Sequence, residues 1–239
     1  MRILITHLTR MHAGRICVAG VDVDTLRHVR PVPAREGLTS HLLARYGGPF
    51  DMARIVDLGR PRHKPNRPHV EDYEFSPARV RFRRSATAEE FWQLLQKLAR
   101  PRLDAIFGEA LHEVSPSRWG TDLCQGTASL GYLRPRGRPE LYVKPGRGGK
   151  PQIRMKLTDG RLRVDAGVTD LRLFGPDHAT PDAGAVRMAN RWLDDTRCVL
   201  LGVGLTRKFR PGEGSPYVHY LQVNNVHVEE EPTWALGEG

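Results

Sequence analysis

The chain opens with "RILITHLT" (residues 2–9), which is rich in β-branched residues and predicts a strand. A basic loop, "RMHAGR" (10–15), leads to "RICVAGVD", where Ile16, Val18 and Val21 sit among small residues and predict a largely buried second strand. "DVDT" supplies turn chemistry, and "LRHVRPV" makes a third strand that ends at Pro31 and Pro33. "GLTSHLLARYGG" predicts a short helix, capped by Thr39 or Ser40 and closed by Gly47 and Gly48. "MARIVDLGR" (52–60) resumes strand character and precedes a polar, Pro-rich loop, "PRHKPNRPHVED". In "YEFSPARVRFRR" (73–84), Val80 and Phe82 alternate with Arg79, Arg81 and Arg83, which predicts a half-exposed strand with arginines along one face.

The next segment, "TAEEFWQLLQKLARP", is helical by every local sign. Thr87 and Glu90 fit a capping box, Phe91, Leu94, Leu95 and Leu98 form an apolar stripe, and Pro101 stops the run. Beyond it the pattern repeats in outline. "ELYVK" (140–144), the basic loop "PGRGGK", "PQIRMKLT", the Asp159-Gly160 turn and "RLRVDAG" form a second meander. A helix then starts near Asp182, followed by strands at 198–206 and 217–228 joined by "RKFRPGEGSP". Five strands with a helix between the third and fourth is the order of an OB-fold barrel, which meets ligands on strands two and three and on the loops joining strands one to two and four to five. The fold class expected is therefore all-β with a few helices, built as two tandem OB-like barrels. Residues 1–86 are expected to form the first barrel and 87–127 a helical linker; residues 128–239 are expected to form the second barrel with an acidic tail.

Charge sharpens this picture. The net charge is +10, and 31 of the 37 basic residues are Arg, whose planar fork suits phosphate and stacks on bases. An Arg-rich codon bias is the plainer source of the same excess. The three cysteines (Cys17, Cys124, Cys198) form no C-x-x-C pair, which excludes a disulfide framework and a Cys-based zinc site. No stretch approaches a membrane span, and a cytoplasmic setting is expected.

The basic residues concentrate in the loops that an OB barrel uses. In the first barrel these are Arg10, Arg15, Arg62, Lys64 and Arg67, with Arg30 on strand three. In the second, "YLRPRGRPELYVKPGRGGKPQIRMK" (132–156) has Glu140 as its one acid and supplies Tyr142, Arg147, Lys150, Arg154 and Lys156; the last loop adds Arg207, Lys208, Phe209 and Arg210. Tyr142 is either a stacking face or a core residue, whereas Phe209, set between Lys208 and Arg210, is expected to be exposed. These connectors are expected at one rim of each barrel. "GRGGKP" lacks the spacing and hydroxyl of a triphosphate-binding loop. His63, His69, Glu71 and Asp72 share a loop, but their spacing matches no metal motif, and no carboxylate cluster or nucleophile–base pair makes a catalytic site.

Three segments carry a family likeness: "TRMHAGRICVAGVDVDTLRHVRPV", "NRPHVEDYEF", and the ending "LLGVGLTRKF" with "HYLQVNNVHVE". In them the chain resembles the dual OB-containing domain proteins of bacteria. The resemblance implies two tandem OB barrels and a role with nucleic acid or nucleotides, in bacterial conflict systems; it carries over no catalytic residue. The function expected is non-enzymatic binding of single-stranded or structured RNA or DNA, with no cofactor, no metal and no membrane partner. The alternatives are a scaffold that binds a protein partner and a divalent-metal nuclease.

Overall fold

The computed structural model describes residues 1–34, 37–210 and 213–234, excepting the side chain of residue 147. The first sheet contains β1 (Arg2–Arg10), β2 (Arg15–Asp22), β3 (His28–Pro33), β4 (Leu38–Thr39), β5 (Arg54–Asp57), β6 (Arg62–His63), β7 (Asp72–Phe75) and β8 (Arg81–Ser85). Helices α1 (Ala88–Leu98) and α2 (Asp104–Phe107) follow. The second sheet contains β9 (His112–Ser115), β10 (Arg118–Asp122), β11 (Leu130–Leu133), β12 (Glu140–Pro145), β13 (Pro151–Thr158), β14 (Arg163–Val168), β15 (Val199–Leu205) and β16 (Val218–Val228), with α3 (Ala183–Asp195) between β14 and β15.

Both sheets have OB connectivity. In the first, β1, β2 and β3 form an antiparallel meander, β3 pairs parallel with β7, and β1 pairs antiparallel with β5. In the second, β12, β13 and β14 repeat the meander, β14 pairs parallel with β16, and β15 pairs antiparallel with β16. OB strand one must serve two neighbours. β1 manages this as one strand with a register shift between Ile5 and His7. In the second barrel two shorter strands share these pairings, β11 with β15 and β12 with β13. The interruption between them holds Pro135 and Pro139, which cannot donate to a ladder. Gly20 lets β1 and β2 approach, because a Cβ there would stand 2.2 Å from the Leu4 carbonyl oxygen.

Several local expectations changed on folding. The short helix after β4 is a pair of 3-10 turns, Ser40–Leu42 and Ala44–Tyr46; Leu43 is buried between them and Gly47 stops the second at φ 83°. The arginine-striped strand is two strands, β7 and β8, separated by a 3-10 turn at Pro77–Arg79. Val80 is buried there, whereas Phe82 is 48% exposed, its ring covered by the Arg54 guanidinium at 4.6 Å.

Segment 87–127 serves both sheets. Helix α1 buries Phe91, Trp92 and Leu95 in the first core, and hairpin β9–β10 pairs with β16. Thr87 and Glu90 form the full capping box. Thr87→Ala is expected to cost about 1 kcal/mol, read as a lower denaturant midpoint at unchanged slope.

The two barrels share a buried seam. Tyr132, Leu171 and Leu200 from the second half lie in the core of the first. The Asn225 side chain accepts from Leu8 N–H at 3.0 Å and donates to Leu8 C=O at 3.2 Å, satisfying β1 backbone beyond its register shift. Glu71 accepts from Ser129 N–H and hydroxyl, each at 2.8 Å, and from Leu130 N–H at 3.2 Å. The seam thereby fixes the loops of one barrel against those of the other.

Candidate functional site

Hairpin β6–β7 shows how the seam gathers charge. Period-two alternation turns Arg62, Lys64, Asp72 and Glu74 to one face, and His63 and Tyr73 to the other. Glu74 accepts from Arg62 and from Lys64, each at 2.8 Å. The Lys64 hydrogen bond, backed by the charge of Arg62, holds the Glu74 carboxyl below the usual carboxylate range. Asp72 is buried and takes Arg30 at 2.6 Å and, from the second barrel, Arg207 at 2.7 Å. Arg30 is thus a buried structural cation with no surface to offer a polyanion: β3 lies beside β7, and the core closes over the pair. Arg207 is half spent in the same way. Close by, His69 packs edge-on to His219 at 5.0 Å; its burial, followed by the charges of Arg30 and Arg207, lowers its pKa to about 3.

The loop between β15 and β16 presents aromatic surface. Phe209 exchanges two backbone hydrogen bonds with Val218, both 2.9 Å, and its ring meets Tyr220 edge-on at 5.9 Å. The ring is nonetheless 49% exposed. Tyr217, 44% exposed, has Lys208 Nζ at 5.8 Å and the Arg210 guanidinium at 5.6 Å from its ring. Arg210 is anchored by Nε donating to Ser215 C=O at 2.9 Å. Two rings and two cations are therefore held in place on the surface. Sequence reasoning named Lys208, Phe209 and Arg210 but missed Tyr217, whose signal was its place just before the last strand, within reach of the same loop.

A second patch lies on β12–β14. Tyr142 is half-buried, with Lys156 Nζ at 5.2 Å and Lys144 Nζ at 5.9 Å from its ring. Burial first, then a hydrogen bond to Asp165, raises its phenol pKa. Arg154 is buried against Asp165, donating to its carboxylate at 3.0 Å and to its carbonyl at 2.5 Å, so it stands beside Tyr142 on the neighbouring strand and is shut off from solvent. Lys156 is exposed and pairs with Glu140 at 3.0 Å. Lys150 is exposed at the hairpin tip; the side chain of Arg147 lies outside the described residues. Arg15 and Arg67 are exposed, while Arg10 lies over the Phe174 ring at 4.6 Å, inside the seam.

The basic loops do not share one rim. Strand three pairs parallel with strand five in each barrel, so the loop before strand five stands at the start of strand three. The loop between strands one and two stands at its other end, because β13 and β2 run antiparallel to β14 and β3. The two loops therefore bracket the strand two–three face. Across the seam, however, the two loops that precede strand five meet, through Arg207 with Asp72 and His69 with His219. Arg62, Lys64, Arg67, Lys208, Phe209 and Arg210 all belong to these two loops and their flanking strands.

Among the described residues, no group of three or more His, Cys, Asp or Glu is placed to hold a metal ion, and no helix is long and apolar enough to cross a membrane. A family model described as a dual OB-containing domain matches residues 1–226. No curated protein and no solved structure matches the chain.

Proposed function

Because the chain belongs to the dual OB-containing domain family, we propose that it binds nucleic acid, as single-stranded or structured RNA or DNA, without catalysing its conversion. The observation that carries this reading is the pair of exposed rings, Phe209 and Tyr217, flanked by Lys208 and Arg210 on an OB ligand loop. A base has a π-face whatever its identity, so such rings favour a strand without reading its sequence, and each stacked base contributes about 1–3 kcal/mol. Backbone phosphates are taken by Lys208 and Arg210, with Arg62, Lys64 and Arg67 continuing the track across the seam. Arg30 and Arg207 act behind it by fixing Asp72.

The test is a salt titration of oligonucleotide binding. Affinity is expected to fall steeply as salt rises, since each neutralised phosphate releases counterions. Lys208→Glu with Arg210→Glu should weaken all sequences alike and flatten the salt slope, whereas Phe209→Ala should cost about 1–3 kcal/mol with the slope retained. An absence of binding at low salt, or affinity that ignores salt, would rule the reading out.

A further inference from the structure

Behind hairpin β6–β7, on the face opposite Arg62 and Glu74, the two barrels leave a cleft of about 490 Å³. We propose that it binds a 5′-nucleotide, either free or as the 5′-phosphorylated end of a strand: a planar base in the cleft and the phosphate at its mouth. The choice of ligand rests on the nucleic-acid reading, but the cleft shares no side chain with the Phe209–Tyr217 surface, so each can fail without the other.

The floor is apolar, formed by Leu98, Ile106 and Leu130 from three different elements. One wall is an ordered aromatic stack in which His63 and Tyr73 lie 4.6 Å apart at 27°. The His63 ring cannot swing freely, because its Nε2 is hydrogen-bonded to the Val70 carbonyl at 2.8 Å. Such a wall suits a flat ring, and the volume falls in the range of about 300–1,000 Å³ usual for small-molecule sites. Two arginines line the cleft, Arg27 before β3 and Arg100 after α1, and both are exposed. Arg30, Arg154 and Arg207 are each tied to a carboxylate. Arg27 and Arg100 make no such pair among the described residues. Two unengaged planar forks lining an apolar slot fit a phosphate carried by a base. The one acid in the wall, Glu71, is turned to Ser129 and Leu130, and its three hydrogen bonds occupy it. His28 completes the back wall with a buried Nδ1 that has no protein partner.

The test uses the full chain and four probes: adenosine 5′-monophosphate, adenosine, and one single-stranded oligonucleotide with and without a 5′-phosphate. Calorimetry is expected to show the monophosphate binding at least about tenfold more tightly than adenosine, since the two arginines act only on the charged group. Arg27→Ala with Arg100→Ala should remove that preference, and Leu98→Trp, which fills the floor, should remove binding of both. Neither change should alter binding of the unphosphorylated oligonucleotide. If the monophosphate does not bind but a 5′-phosphate strengthens oligonucleotide binding, and the arginine variant loses that increment, the ligand is the strand end. If neither the monophosphate nor the 5′-phosphate has an effect, or both variants bind as the wild type does, the cleft is not a nucleotide site. Nucleotide binding without oligonucleotide binding would keep the cleft and overturn the loop interface.

Discussion

Lowering the pH from neutral to about 5 is expected to withdraw most of the stability of this protein. Four histidines, His7, His69 and His227, which are buried, and His28, which is partly buried, are held neutral by the fold. Burial is the first cause in each: it pushes His7 well below its ordinary value, with the charges of His28, His227 and Arg30 adding to the effect. His28 falls to about 4 and His227 to about 3, the nearby Arg100 and Arg172 charges reinforcing burial in turn. Three of them surround Tyr132 in the seam, with ring centroids at 5.1 Å for His7, 5.3 Å for His28 and 6.5 Å for His227. An unfolded chain protonates these residues below a pH of about 6.5 and the native chain does not. The unfolded state then binds more protons, so stability is complete above that pH and falls as the pH drops towards the folded values. Each histidine contributes up to about 1.4 kcal/mol per pH unit, so four together remove on the order of 5–8 kcal/mol by pH 5, against a typical total of about 5–15. Guanidinium melts across this range check the slope, and His227→Gln should lower it by one proton. A pH-independent midpoint between neutrality and about pH 5 would refute the assignment of neutral, buried rings.

Asp170→Ala is expected to cost about 3–5 kcal/mol, because it strands a buried cation. Both side chains of the Asp170–Arg172 pair are fully shielded. Asp170 accepts from Arg172 Nε at 2.8 Å and Nη2 at 2.7 Å, and from Val226 N–H at 3.0 Å. Arg172 also donates to the carbonyls of Val226 and Trp234, each at 2.9 Å, and its guanidinium lies 3.7 Å from the Trp234 ring centroid. Removing the carboxylate leaves a guanidinium in a dry site with only carbonyl oxygens and a ring, and leaves Val226 N–H without its acceptor. At about 2–4 °C per kcal/mol for a chain of this size, the melting temperature should fall by roughly 10 °C. Asp170→Ala combined with Arg172→Met should recover part of the loss. Since Asp170 also bridges to Thr9 of the first barrel, both barrels should melt in one transition. A shift of only one or two degrees would show that water reaches the pair.

β-Branched runs, period-two alternation and turn chemistry placed both meanders and the two closing strands of the second barrel, but not β11, nor β9 and β10, since segment 87–127 reads locally as a helical linker. Each such signal is local, and it survives because burial on one side of a sheet demands that pattern whatever the partner strand is. The same reasoning does not reveal how a charged strand position is spent. Arg30 and Arg154 resemble Lys156 in the sequence, yet they are buried against Asp72 and Asp165, acids supplied by a neighbouring strand. Strand β8 shows a further limit: Phe82 has the alternation of a core residue but stays exposed, because β8 is the last strand of its sheet; only the Arg54 guanidinium lies over its ring.

The order of strands, the basic character of the connecting loops and the exposed setting of Phe209 were determined by the sequence alone, since each depends on residues within a few positions of one another. Only the tertiary structure decided that the two loops before strand five meet across a seam, that those between strands one and two stand at the far ends, and that a cleft opens between Tyr73 and Leu130. These follow from the parallel pairing of β3 with β7 and of β14 with β16, and from the docking of one barrel on the other. Contacts such as Leu8 with Asn225, 217 residues apart, have no local pattern that could announce them.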